Sequence, residues 1–299
     1  IKDLVSELAQ GHELGVLKID EEESPKPWER QAVNLSSEDF PREIDIVKAN
    51  MLFIPKTGVS QRALNRLKRL ASFKNPMFFR QQAMRLPTCG HPVVISCADE
   101  TEDYLCLPRG CETELSDELR QYKVDLKIID KTNHGKRIDV EFNGDLRDEQ
   151  SRALDVLLQH DIGILSGTTA FGKTVVAIKL IAERKVNTLI LVDRVSLLTQ
   201  WKDRLSQFLT INESLTEMNR SPEKNRGLRK KKGVIGWVGA GKNNLSGIVD
   251  IAVMQSLSRL GEVKACVKDY GMIIADECHH APAFRYENIL KTTDARYVC

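Results

Sequence analysis

Residues 167–174 read GTTAFGKT, and residues 272–280 read MIIADECHH. The first string fits the phosphate-binding pattern G-x-x-x-x-G-K-[ST], and the second is a short apolar run that ends in two adjacent carboxylates. A phosphate spreads its negative charge over several oxygens and needs several donors at once. Gly167 and Gly172 let the backbone turn tightly, so that the amides of Thr168, Thr169, Ala170 and Phe171 can turn inward. A helix that begins at Lys173 adds the positive end of its dipole. The Lys173 ammonium would reach the β and γ phosphates, and the Thr174 hydroxyl would take a position on Mg2+. The flanks agree with this reading. IGIL at 162–165 reads as a strand entering the loop, and KTVVAIKLIAER at 173–184 as a helix leaving it.

Asp276 and Glu277 follow an apolar strand and would sit at its carboxyl end, the edge where open α/β sheets bind ligands. Asp276 would hold Mg2+, through water, and Glu277 would orient and deprotonate an attacking water. Alone, such a pair reads equally well as a solvated acidic turn. With a phosphate loop upstream, the two strings together describe a nucleoside-triphosphate hydrolase. His279 and His280 follow at once. Neighbouring side chains point apart and Mg2+ prefers oxygen, so a shared metal is disfavoured. His279 reads as a coupling residue between the hydrolytic edge and the rest of a motor, or else the pair is simply polar surface.

Around these strings, strands and helices alternate. Apolar strands are predicted at 162–165, 188–192, 249–253 and 272–275, with helices over 173–184 and 195–208 between them. That alternation predicts an α/β fold with a parallel sheet flanked by helices. A polar loop, KTNHGKR at 131–137, places a domain boundary before IDVEF at 138–142. Residues 138–299 then form the nucleotide-binding lobe, 41–137 a smaller mixed α/β accessory module, and 1–40 an acidic, proline-interrupted lead-in. Within the module, a helix is predicted from Ser60, as N-cap, to Phe73, with Leu64, Leu67, Leu70 and Ala71 on one face and Arg62, Arg66 and Arg69 on another. A second basic helix is predicted over 76–85, and a small β-α-β unit over 103–130.

The chain's 299 residues suit two domains, and 41% apolar with 29% charged residues describes a globular protein able to bury real cores. A net charge of +2 does not by itself indicate nucleic-acid binding, so any such contact must rest on local patches. The densest patch is RSPEKNRGLRKKK at 220–232, which reads either as a solvated loop or as a phosphate contact. No run approaches the roughly 20 apolar residues of a membrane span. The odd count of seven cysteines reads as reduced thiols in an intracellular, cytoplasmic protein. A zinc site from Cys89, His91, Cys97, Cys106 and Cys111 is the sharper alternative, although paired C-x-x-C knuckles are absent. GAGK at 239–242 is too short to be a second phosphate loop, and the first residue, Ile1, suggests a piece of a longer chain.

DECHH at 276–280 with GTTAFGKT upstream resembles the superfamily 2 helicases of the DEAD/DEAH type, in particular the xeroderma-type B repair helicases and the helicase subunits of restriction systems. LRDEQ at 146–150 is similar to the adenine-reading segment of that family. LILVDRVSLLTQW at 189–201 and IAVMQSL at 251–257 resemble its loops that touch the nucleic-acid backbone. The N-terminal strings ANMLFIP (49–55), RALNRLKRLASFKNP (62–76) and LPRGC (107–111) resemble the region that joins a primase domain to a helicase in bacterial conflict-system proteins. The resemblance implies a RecA-like lobe that binds ATP and Mg2+. It implies Gln150 on the adenine edge with Arg147 near the base, and Arg194, Gln200, Gln255 and Ser256 on the nucleic acid. The family continues into a second RecA-like lobe bearing an arginine finger, which is expected beyond Cys299. The implied function is an ATP-dependent helicase or translocase, on DNA rather than RNA, with the isolated lobe only weakly active and the nucleic acid crossing loops opposite the ATP edge. A nucleotide-dependent clamp or switch that binds without unwinding is the alternative. A small-molecule kinase, which also uses a phosphate loop, is disfavoured by DECHH.

Overall fold

The computed structural model describes residues 35–168, 170–212, 234–239, 241–259, 262–278 and 283–299. The chain divides into two compact units, one up to Asp130 and one from Lys131.

The first unit carries β1 (Glu43–Lys48), β2 (Leu52–Pro55), α1 (Gln61–Leu70), β3 (Ser72–Lys74), α2 (Pro76–Ala83), β4 (Val94–Ser96), β5 (Asp99–Glu100), β6 (Tyr104–Leu107), α3 (Glu112–Gln121) and β7 (Asp125–Asp130). Its main sheet has the order β5-β6-β2-β1-β7, with β7 parallel to β1 and the other pairs antiparallel. Ser60 caps α1, its hydroxyl accepting from the Ala63 amide at 3.2 Å. Ala63, Leu64 and Leu67 of α1 are buried in one cluster with Ile44, Ile46, Leu52, Ile54, Leu105 and Leu107 of the sheet. The helix ends at Leu70, short of the predicted Phe73, because 72–74 pairs with 94–96 as a strand. The predicted β-α-β unit over 103–130 exists as β6-α3-β7, yet β2 and β1 lie between its two strands. Of the predicted lead-in, residues 1–34 lie outside the described residues. Phe40 at its end is buried and stacks on Tyr122 with ring centroids 5.0 Å apart, so this end belongs to the core.

The second unit opens with β8 (Val140–Phe142) and α4 (Asp148–Leu158). It continues through α5 (Lys173–Arg184), β9 (Thr188–Val192), α6 (Val195–Phe208), β10 (Leu209–Ile211), β11 (Ile235–Gly239) and β12 (Lys242–Asn244). The last elements are β13 (Val249–Val253), α7 (Met254–Leu257), the hairpin β14 (Ser258–Arg259) and β15 (Glu262–Val263), β16 (Met272–Ala275), α8 (Ala283–Thr292) and β17 (Tyr297–Val298). Its six-stranded sheet has the order β12-β11-β13-β9-β16-β17, and every pair except β11 with β12 is parallel. Both faces are covered. Ile190, Val192, Ile251, Val253 and Ile274 pack with Val176, Ile178 and Ile181 of α5 and with Trp201 and Leu205 of α6. The alternating Leu189, Leu191, Ala252 and Ile273 pack on the other side with Tyr270 and Ile289. This two-sided burial is why these strands read as continuous apolar runs.

The predicted strand at 162–165 is only an extended segment. Ile162 bridges Val298 in parallel, Gly163 N donates to the Val298 carbonyl at 3.0 Å, and Ile164 is 83% exposed. Val298 in turn donates to the Asp161 carbonyl at 2.9 Å, so the segment meets β17 at Asp161 and Gly163. Residues 131–137 pack as part of the second unit, so the division falls ahead of the boundary expected after Arg137. Asn133 Nδ2 donates to the Lys268 carbonyl at 2.7 Å, and Lys136 N donates to Asn187 Oδ1 at 2.8 Å. Gly135 approaches Gly271 so closely that a Cβ on it would lie 2.6 Å from the Gly271 Cα.

Candidate nucleotide site

Strands β13, β9 and β16 run parallel, so their carboxyl ends share one edge of the sheet. The bridge between Ile162 and Val298 is also parallel, which brings the phosphate loop out on that same edge. Gln255 follows β13, Arg194 follows β9 and Asp276 follows β16. The nucleic-acid candidates therefore do not lie on an edge opposite the ATP residues, as the sequence reading had them. They lie beside those residues along one edge, Gln255 being four strand spacings, or roughly 19 Å, from the entry to the phosphate loop.

The loop is shaped by local rules. Ala170 and Gly172 have φ of 66° and 87°, Phe171 N donates to the Thr168 carbonyl at 3.1 Å, and Gly172 caps α5. Thr169 lies outside the described residues. Gly172 is required twice over, by its left-handed backbone and by Gln150. A Cβ at this position would come within 2.5 Å of the Gln150 amide nitrogen.

Gln150 and Arg147 hold the loop from below. Gln150 is 5% exposed, its Nε2 donates to the Phe171 carbonyl at 2.7 Å, and its Oε1 accepts the Arg147 amide at 3.0 Å. The Arg147 guanidinium donates to the same Phe171 carbonyl and, at 3.4 Å, to that of Ala170. Both residues thus spend part of their donor capacity on the loop backbone. The family resemblance implies them on the base alone.

The fold brings Lys173 and Glu277 together, Nζ lying 3.7 Å from Oε1, with both side chains about one-third exposed. Glu277 sits at φ 49°, an uncommon conformation for a non-glycine residue, at the turn where β16 ends. Asp276 is fixed by its backbone, its amide donating to the Leu191 carbonyl at 3.0 Å, and by its side chain. The Trp201 indole Nε1–H donates to Asp276 Oδ2 at 2.7 Å. Trp201 was not singled out by the sequence reading. The available signal was a tryptophan on the apolar face of a helix, whose N–H must find an acceptor once buried.

The donor set suits a hard cation held jointly with phosphate. No three His, Cys, Asp or Glu side chains among the described residues come together to hold an ion unaided. Mg2+ ordinarily takes one or two carboxylates and completes its shell with phosphate and water. Thr174 and Asp276, a hydroxyl and a carboxylate, fit that arrangement. The five zinc candidates in the first unit are not gathered; Cys106, for example, is buried while Cys89 is exposed.

Arg194 caps α6 with its side chain 63% exposed and its Nε 3.7 Å from Asp193 Oδ2. Gln200 and Gln255 are exposed, and Ser256 is half-buried. His279, His280 and the basic run 220–232 lie outside the described residues. Among the described residues, no helix is long and apolar enough to cross a membrane.

Residues 143–298, just over half of the chain, match the family described as the type III restriction enzyme res subunit, ResIII. The chain belongs to the ResIII family. This ResIII chain is 31% identical over 142 residues to the DNA 3'-5' translocase XPB2 of Sulfurisphaera tokodaii, a match covering 48% of this chain and 27% of that protein. The UvsW helicase of bacteriophage T4 has a similar fold, with TM-scores of 0.56 and 0.53 in two structures, each covering 86% of this chain and respectively 90% and 51% of theirs, at 16% identity. The chain spans between 17% and 27% of the length of the curated relatives it matches. The ResIII chain is thus a superfamily 2 helicase relative of the XPB and restriction type, with a RecA-like parallel sheet.

Proposed function

We propose that the unit from Lys131 is the ATP-hydrolysing lobe of a nucleic-acid helicase or translocase, acting on DNA, and that the unit up to Asp130 is its accessory module. The observation that carries this reading is the 3.7 Å approach of Lys173 to Glu277, residues more than a hundred positions apart. Lys173 would draw the β and γ phosphates, with Gly167 to Thr174 cradling them. Thr174 and Asp276 would hold Mg2+, which when bound neutralises charge on the phosphates. A triphosphate entering the site exchanges the Lys173–Glu277 ion pair for Lys173–phosphate contacts. Glu277 is then left to accept a proton from the attacking water. Gln150 and Arg147, already under the loop, would read the adenine with their remaining hydrogen-bonding capacity.

The same edge offers Arg194, Gln200, Gln255 and Ser256 to a nucleic acid, and the name of the XPB2 relative favours DNA. His279 would couple the two sites, and a second RecA-like lobe would form the other side of the cleft. Cysteines kept as thiols and a nucleoside-triphosphate substrate would fit an intracellular setting.

The deciding experiment compares Lys173→Ala and Glu277→Gln with the unaltered chain, using binding of a fluorescent ATP analogue and DNA-stimulated phosphate release. Lys173→Ala should lose binding. Glu277→Gln should bind normally and turn over at least about a hundredfold more slowly, in line with the usual worth of a general base. Normal turnover by Glu277→Gln would remove that residue from the chemistry. A tailed duplex that binds in an ATP-dependent way without being unwound, in the presence of the second lobe, would point to a clamp instead.

A further inference from the structure

We propose that Trp201 is a positioning residue for Asp276, orienting its carboxylate toward the divalent ion of a bound nucleoside triphosphate. The inference rests on the reading of Asp276 given above and adds a residue that this reading does not contain.

Trp201 is 2% exposed and packed in one cluster with Leu198, Leu205, Val192 and Ile274. A ring held this way cannot turn to follow a mobile partner. Its one polar atom, the indole N–H, would cost free energy if buried without an acceptor. The acceptor it takes is a carboxylate oxygen, Asp276 Oδ2 at 2.7 Å, a short charge-assisted bond. The Asp276 main chain is held as well, by its amide bond to Leu191. With the backbone fixed at one end and the ring at the other, the rotation left to the Asp276 side chain is stopped by the indole.

A tryptophan that needed only an acceptor could be served by any backbone carbonyl. This one uses the carboxylate assigned to the metal. Partners of this kind, standing behind a group that holds the ion, orient it and usually matter about 10–100-fold for metal affinity. The bond also ties Asp276 to α6, the helix that Arg194 caps at its start.

The test uses the whole chain and the anisotropy of a fluorescent ATP analogue, titrated with Mg2+ and separately in EDTA. The unaltered chain should bind more tightly with Mg2+. Trp201→Phe keeps the apolar ring and removes the N–H. It should lose about tenfold or more of the Mg2+-dependent tightening while leaving the EDTA affinity unchanged. Trp201→Phe with full Mg2+ tightening would overturn the inference and leave the nucleotide site standing. An unaltered chain that binds no analogue would overturn both.

Should Trp201→Phe fail to fold, the unaltered chain still decides the matter by nitrogen-15 NMR of its three indoles, Trp28, Trp201 and Trp237. The Trp201 resonance, assigned by substituting the other two, should move when Mg2+ is added to the nucleotide complex. A resonance that ignores Mg2+ would overturn the positioning role.

Discussion

Gly172 shows how tightly this site is specified one residue at a time. Gly172→Ala would force a side chain onto φ 87° and drive its Cβ into Gln150, which is itself buried. The substitution should destabilise the second unit by about 1–3 kcal/mol and weaken nucleotide binding, measured by urea denaturation and by the fluorescent analogue. The glycine, the lysine and the two carboxylates proposed for this site are read from the strings 167–174 and 272–280, because the chemistry of phosphate and Mg2+ demands those residue types at that spacing. Trp201 and the loop-gripping role of Gln150 were not. Neither follows from local spacing, since each is a contact between elements that are distant in the chain. Trp201 and Asp276 meet across 75 positions.

Between elements, one polar link in each unit ties segments together. In the second unit Asp250, fully buried within β13, accepts from Ser246 N and Gly247 N at 2.8 and 2.7 Å and from the Tyr270 hydroxyl at 2.5 Å. Burial, with the Asp250 carboxylate beside it, pushes the Tyr270 phenol well above its ordinary range. Its contribution to stability is therefore present in full below about pH 10, where an unfolded tyrosine begins to ionise. It is lost as pH rises beyond that, because the unfolded chain releases a proton that the folded chain keeps. Alkaline melts should show stability falling above about pH 10, and Tyr270→Phe should flatten part of that slope.

In the first unit Arg66 of α1 makes two bonds, at 2.8 and 3.1 Å, to the Glu118 carboxylate of α3, which is 6% exposed. Arg66→Ala leaves that carboxylate without its bidentate partner. Since Arg66 is itself about half exposed, the expected cost is about 1–2 kcal/mol in chemical denaturation. The arginine triplet on this helix looked in the sequence like a uniform basic face. The ion pair shows that at least this member serves packing between helices.

For the molecule as a whole, binding and folding of the second unit are linked. Mg-ATP at about one hundred times its Kd should raise the unfolding free energy by about 2.7 kcal/mol, seen as an upward shift of the thermal transition and absent in Lys173→Ala. Turnover by these 299 residues should be slow, and a chain extended by a second lobe with an arginine finger should exceed it by about 10³-fold or more. The parallel α/β class, the helices at 173–184 and 195–208 and three of the four core strands could be read directly from the chain. Apolar periodicity and helix signals are short-range properties, written within a dozen residues. The strand order β11-β13-β9-β16-β17, the extended entry segment at Ile162 and the single edge shared by nucleotide and nucleic-acid candidates could not. They depend on which distant segments pack together, a choice set by the burial of both sheet faces at once and carried by no one stretch of sequence. So the residue types proposed for phosphate and Mg2+ stand in the chain itself, while the meeting of Lys173 with Glu277, and of Trp201 with Asp276, came from packing.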